Sequence, residues 1–175
     1  MKTIILLVMH GIPPSDFPDN ERNEFFGLSG RLRHARGEEL NALMERQKLL
    51  ETKMRNWPRT MENDPFHAAS LELAGHLSDI NGNEVVVAFN EFCAPDVETG
   101  LKQAIKNGAE RIIVVSTMMT KGGGHAEVEI GEFVDKEKKE HPEVEIIYAW
   151  PYESREVAKF INQHVLSFLS HRKQK

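Results

Sequence analysis

The sequence has a single cysteine, Cys93, no apolar run longer than Ile4–Met9, and no basic excess, since 22 Lys and Arg stand against 27 Asp and Glu. Each shortage closes off a class of protein. One thiol can form neither an internal disulfide nor a cysteine-rich zinc or iron–sulfur site, so any metal must be held by nitrogen and oxygen. The Ile4–Met9 run falls far short of the roughly 20 apolar residues that a membrane-spanning helix needs, so no membrane partner is expected. It is also too brief for a secretion signal, and no small-residue cleavage site follows it before the polar Ser15–Asn23 stretch, which points to a cytoplasmic protein. A net charge of -5 and a pI near 5.9 give no electrostatic footprint for nucleic acid, and an anionic ligand would need a local basic patch.

What is present is ordinary globular material. The 175 residues, 40% hydrophobic and 28% charged, are enough for one domain with a real core. Four short, β-branched-rich runs read as strands buried on both faces, and hence as a parallel sheet: Thr3–Met9, Glu84–Phe89, Arg111–Ser116 and Val144–Ala149. Between the second and third runs lies an amphipathic helix, with Asp96 as its N-cap, Val97, Leu101, Ala104 and Ile105 on one face and Gly108 as the stop. A further helix is expected over Ala126–Glu140 with Val128, Phe133 and Val134 facing inward. The last helix, Ser154–Ser170, carries Val157, Ile161, Val165 and Leu169 at helical spacing and is expected to cover the sheet.

The interval between the first two strands, about 75 residues, is several times a simple crossover. It reads as a helical insertion at about residues 17–75 within a single domain spanning residues 1–175. A short helix around Phe25, Phe26 and Leu28 is expected there, then a long charged helix over Glu38–Met54 and another over Phe66–Asp79. The function of the insertion reads either as a solvated helical hairpin or as a lid or dimer arm.

Ligands of open parallel sheets gather beyond the carboxyl ends of the strands. His10, Glu91 and His125 lie in the loops that follow the first three strands. Imidazole nitrogen with a carboxylate suits first-row divalent metals, and three protein ligands leave positions open for exchange. His67 is a weaker candidate for the same place. Cys93 reads as a small buried hydrophobe rather than a nucleophile, because no base is paired with it.

Three stretches carry a family resemblance: LLVMHG at the first strand, AFNEFCAPDVETGLKQAIKNGAERIIVVSTMMTKGGGHAEVEI through the middle, and HPEVEIIYAWP at the fourth strand. In these the chain resembles the class II, ATP-independent tetrapyrrole chelatases, in particular the short sirohydrochlorin cobaltochelatases of cobalamin synthesis. The resemblance implies a chelatase-like, flavodoxin-like winding of the four-stranded parallel sheet. It places His10 and His125 at the family's two metal-site histidines and Glu91 at their acidic partner, so that all three are both candidate metal ligands and candidate catalytic groups. It also implies insertion of a divalent metal, Co(II) first with Ni(II) or Fe(II) as alternatives, into sirohydrochlorin or a related metal-free tetrapyrrole, by a lyase-type enzyme that acts as a homodimer. Which histidine takes the pyrrole proton is open, and Glu91 could bind metal, accept a proton or orient a histidine.

The loop TKGGGH adds substrate contacts to this reading. Gly123 and Gly124 would allow close backbone approach, and Lys121 could meet a substrate carboxylate. Arg31, Arg33, Arg36, Arg55 and Arg59 in the insertion are further candidates for the eight carboxylates of sirohydrochlorin. No nucleotide is expected, since the chain has no G-x-x-x-x-G-K-[ST] motif and HGIPPSD lacks the hydroxyls of a flavin phosphate loop. A non-enzymatic metal or tetrapyrrole carrier using the same pocket is the alternative function.

Overall fold

The β-branched runs form the strands expected of them, and the intervening segments wind around one sheet. The computed structural model describes residues 1–171, so most of the basic tail and the side chains of Ser170 and His171 lie outside the described residues. In chain order the elements are β1 (Thr3–Met9), α1 (Asp19–Leu32), α2 (Gly37–Arg55), α3 (Pro65–Asn81), β2 (Glu84–Phe89), α4 (Val97–Lys106), β3 (Arg111–Ser116), a π-helical turn (His125–Glu129) running into α5 (Ile130–Glu140), β4 (Glu145–Tyr148) and α6 (Ser154–His171). The sheet is fully parallel with strand order β2-β1-β3-β4, the α/β class and winding anticipated from the sequence. β1 is therefore central, and its carboxyl end lies between those of β2 and β3.

Side chains alternate across the sheet. On one face Ile4, Leu6 and Val8 of β1 and Ile112 and Val114 of β3 pack with Leu101 of α4 and Ile130 and Val134 of α5 in the main core. Helix α4 begins where Asp96 accepts a 2.8 Å hydrogen bond from the Thr99 amide, as an N-cap should. Val128, expected inward, is instead 53% exposed. The inward positions are Ala126, Ile130 and Val134, each four residues from the next, and Val128 lies about half a turn from them, so it points out.

The opposite face is only half covered. Ala74, Phe66 and Leu77 of α3 lie over Leu7, Met9, Val87 and Phe89, which serves β2 and β1. The expectation that α6 covers the rest is overturned, since Phe160 is 61% exposed, Ile161 53% and Leu166 54%. Helical spacing correctly marks an apolar stripe but contains no information about what that stripe meets.

Helices α1 and α2 form a hairpin with its own core of Phe17, Leu28, Leu50 and Met54. The first of these helices is 14 residues long, not short, because Asp19–Leu32 continues well to either side of the Phe25–Leu28 group. Helix α3 is the crossover that any parallel connection from β1 to β2 requires. It starts at Asp64, whose carboxylate caps the His67 amide, with Pro65 in the first turn.

Candidate metal centre

His10 follows the last residue of β1, and the chain turns there on Gly11, whose φ is +97°. A Cβ on Gly11 would lie 1.9 Å from the Glu91 carbonyl oxygen, so only glycine lets the loops after β1 and β2 run this close. They continue the strand ladder: the Asn90 amide donates to the Met9 carbonyl and the Glu91 amide to the His10 carbonyl, both at 2.8 Å. His10 and Glu91 are thereby set side by side. The turn beyond Glu91 puts Phe92 at a φ of 56°, an uncommon conformation for a bulky residue.

Two arginines of the insertion hold that turn. Arg55 donates to the Asn90 carbonyl at 3.0 Å and the Cys93 carbonyl at 3.1 Å. Arg59 donates to the carbonyls of Phe92, Ile12 and Met54 and is paired with the Asp64 carboxylate. Arg59 and Asp64 are 6% and 1% exposed, so this guanidinium is a buried tie between both loops and the hairpin. The expectation that Arg55 and Arg59 meet substrate carboxylates is therefore corrected, because the terminal nitrogens of both are committed to backbone oxygens and both guanidinium groups are paired with carboxylates of this chain, Glu51 and Asp64. Arg31, Arg33 and Arg36 are exposed.

His125 arrives from the other side, at the start of the π-helical turn beyond β3. Its Nε2 lies 3.7 Å from Glu91 Oε1, and His10 Nε2 lies 3.5 Å from Glu91 Oε2. The two imidazoles meet edge to face with ring centroids 5.2 Å apart. One ligand atom from each of His10, Glu91 and His125 lies within 4.8 Å of the others, a span that a first-row ion with bonds of about 2.0–2.2 Å closes by small side-chain movements. The side chains are 45%, 32% and 33% exposed in that order, so the cluster opens to solvent.

Each histidine is oriented through its other nitrogen. His10 Nδ1 is 2.8 Å from the Gly11 carbonyl, which can only accept, so Nδ1 carries the hydrogen and a neutral ring presents the Nε2 lone pair to Glu91. His125 Nδ1 lies 2.9 Å from Glu129 Oε2, which can only accept, and 2.8 Å from Asn90 Nδ2, so the Glu129 contact is a hydrogen bond in the tautomer that carries its hydrogen on Nδ1. Asn90 donates to the same Glu129 oxygen at 2.8 Å, and its Oδ1 is buried with no partner. The Glu129 hydrogen bond, reinforced by the charges of Glu129 and Glu91, raises His125 above the usual imidazole range despite partial burial. Burial would raise Glu129, but the Asn90 amide and His125 together hold it below the usual carboxylate range.

Glu129 and Asn90 were not anticipated. The signal for Glu129 was its place four residues after His125, a spacing at which helical side chains meet. Asn90 carried none beyond its adjacency to Glu91. Lys121, Gly123 and Gly124 lie in an exposed loop before His125. Only Gly122 there has a positive φ, and a Cβ would meet nothing within 4 Å at Gly124. His67 does not join the cluster; it stacks on Phe89 at 5.3 Å, where burial lowers its pKa. Cys93 is buried as expected, and burial pushes its thiol up.

A doubly wound parallel sheet with an open His/Glu triad over its carboxyl ends defines an α/β protein with a candidate metal-exchange centre. More narrowly, the chain belongs to the CbiX family, whose model matches residues 63–166. That membership agrees with the class II chelatase resemblance carried by the sequence; His10 precedes the matched stretch. The chain is 33% identical over 66 residues to the sirohydrochlorin ferrochelatase of Priestia megaterium and 30% identical over 67 residues to the sirohydrochlorin cobaltochelatase of the same organism. Each match takes in 38% of this chain but only 24% and 22% of the respective relative, so the chain spans less than a quarter of their length. A solved structure of a cobalamin (vitamin B12) biosynthesis CbiX protein from Marinobacter aquaeolei VT8 aligns over 97% of this chain and 98% of its own, with a TM-score of 0.55 at 18% identity, a likeness of fold.

Proposed function

We propose that this protein inserts a divalent first-row metal, Co(II) foremost, into sirohydrochlorin or a closely related metal-free tetrapyrrole without ATP. The observation that carries the proposal is the triad of His10, Glu91 and His125, with both Nε2 atoms turned toward one carboxylate at the open carboxyl end of the sheet. Membership of the CbiX family supports it. Ferrochelatase and cobaltochelatase names occur side by side among the relatives, and nitrogen and carboxylate donors accept Co(II), Fe(II) and Ni(II) alike.

Insertion exchanges two pyrrole protons for one dication. A neutral imidazole can hold the incoming ion and then yield it, because three protein ligands do not close the coordination sphere. The second imidazole and Glu91 are the proposed acceptors of the departing protons. Glu129 acts through His125 by favouring the tautomer that leaves Nε2 unprotonated when the ring is neutral, and Asn90 holds the Glu129 carboxylate that does so. Lys121 and the backbone at Gly123 and Gly124 are the proposed contacts for peripheral carboxylates, since they are exposed beside His125 and free of strain against approach. A cytoplasmic setting belongs to the same reading. So does a homodimer, because one four-stranded sheet leaves the triad open on one side.

The test is to mix the purified protein with sirohydrochlorin and Co(II), Fe(II) or Ni(II) in turn and follow the absorbance change of metallation against the spontaneous rate. Acceleration is expected, and both His10→Ala and His125→Ala should abolish it. Binding of tetrapyrrole and metal without acceleration would make the protein a carrier. Full activity in either variant would sink the site assignment.

A further inference from the structure

Two tyrosines outside the triad reach the backbone on either side of the segment that carries His125. Strand β3 ends at Ser116 and regular structure resumes at His125, so residues 117–124 join the sheet to the histidine, and residues 120–124 of them are exposed. Tyr148, the last residue of β4, donates its hydroxyl to the Ala126 carbonyl at 2.5 Å, one residue beyond His125. Tyr152 donates to the Ser116 carbonyl at 2.7 Å. Trp150 lies between the two rings, stacked on Tyr148 with centroids 6.4 Å apart and edge-on to Tyr152 at 6.0 Å. Ala126 and Ser116 are each 1% exposed, so water does not compete for these carbonyls. Burial pushes Tyr148 up to about 12 and raises Tyr152 as well, so both hydroxyls keep the hydrogen they donate.

The two ends depend on these contacts unequally. At the β3 end the Thr117 amide also donates to the Val8 carbonyl at 3.2 Å, and the Met118 amide to the Ser116 hydroxyl at 3.0 Å, so the ladder continues without Tyr152. At the His125 end the other backbone bonds are local. The Glu127 amide donates to the Gly123 carbonyl at 3.0 Å, the Gly122 amide to the Glu127 carboxylate at 2.7 Å, and the Ile130 amide reaches back to the His125 carbonyl. Those bonds shape the turn without tying it to the sheet. Ala126, Ile130 and Val134 are buried on that side, but apolar burial is non-directional. Among the described residues the Tyr148 hydroxyl is the one hydrogen-bonding group of a strand that holds the backbone of this turn. Tyr148 is itself fixed, since it pairs in register with Val114 of β3 and packs against the main core.

We infer that Tyr148 is a positioning residue for metal exchange, with Tyr152 in support: from β4 it sets the first turn before α5 at the height where His125 Nε2 meets Glu91. The inference rests on the reading of His10, Glu91 and His125 as metal ligands. A ligand bond tolerates an error of only about 0.2 Å, so a carbonyl anchor one residue from His125 acts directly on whether three donors close on one ion.

The test uses the full chain with Co(II) alone, read by isothermal titration and by the visible absorption of the bound ion, whose bands report coordination geometry. Tyr148→Phe keeps the ring and removes only the hydroxyl; it should weaken Co(II) binding about 10-fold and alter the bands. Tyr152→Phe should weaken binding by a smaller factor. Val144→Ala, which opens the same core at the amino end of β4, should lower the urea midpoint with neither change, so that lost stability is separated from lost positioning. Wild-type affinity and bands in Tyr148→Phe, with binding lost in His125→Ala, would overturn the positioning inference alone. Undiminished binding in His125→Ala would overturn both it and the metal-site reading.

Discussion

The two sides of the metal centre are held in different ways. His10 and Glu91 sit on loops locked by backbone: Gly11 permits contact with the Glu91 carbonyl, paired amides extend the ladder, and Arg55 and Arg59 gather the carbonyls of the turn. His125 sits at the start of a helix after an exposed glycine loop, and only side chains, Glu129 and Asn90, hold its ring. One side is fixed by the fold and the other by a replaceable hydrogen-bond pair. Damage to the first should therefore register as lost stability, whereas damage to the second should register as lost metal affinity.

The largest effect should come from Arg59→Ala. Removing the guanidinium leaves Asp64 buried and unpaired and frees three carbonyls, which should cost about 3–5 kcal/mol in urea unfolding. A loss below about 1 kcal/mol would mean that the tie does not hold the loops. Gly11→Ala comes next, with at least about 1–3 kcal/mol lost, since its Cβ must displace the Glu91 carbonyl and the backbone sits at positive φ. Weakened Co(II) binding should accompany it, read by isothermal titration, because His10 and Glu91 separate.

Glu129→Ala should reverse this pattern. Co(II) affinity should fall about 10–100-fold while the unfolding midpoint hardly moves, and Glu129→Gln should recover part of the loss. Equal losses of stability and affinity would erase the distinction between the two sides.

The pH dependence sharpens it further. With His125 raised in the folded state, its protonated form competes with metal above the ordinary value of about 6.5, so Co(II) binding should weaken as pH falls through that raised pKa. In metal-free protein the sign is opposite: the raised group contributes stability that is complete below about pH 6.5 and is lost as pH rises through the folded pKa. Glu129→Ala should shift the midpoint of the binding profile to lower pH. His67, lowered by burial, should instead favour the folded state above about pH 6.5 and cost stability as pH falls toward its folded value. The smallest effect belongs to Gly124→Ala, which should change stability by no more than about 0.5 kcal/mol, because a Cβ there enters open space at a helical φ.

Much of this was legible in the residues. β-branched runs marked the strands, Asp96 marked its cap, and the strand-end positions of His10, Glu91 and His125 made their meeting a consequence of strand order. The arginines were misjudged because charge alone cannot distinguish a solvated guanidinium from one that reaches carbonyls 30 or more positions away in sequence. Val128 was misplaced because its apolar character was weighed above its phase, which lies about half a turn from the Ala126–Ile130–Val134 stripe. Helix α6 showed the converse, a correct stripe assigned to the wrong surface.

By itself the sequence determined which segments must be buried, that a parallel sheet would gather the loops after β1, β2 and β3, and that any metal would be bound through nitrogen and oxygen. Those properties follow from side-chain chemistry and local periodicity. Only the tertiary structure decided that Arg59 would be a buried tie, that Glu129 and Asn90 would orient His125, and that α6 would leave its own sheet half bare. Each of these depends on which atoms come within hydrogen-bonding or van der Waals distance across the fold, and local pattern does not encode that approach.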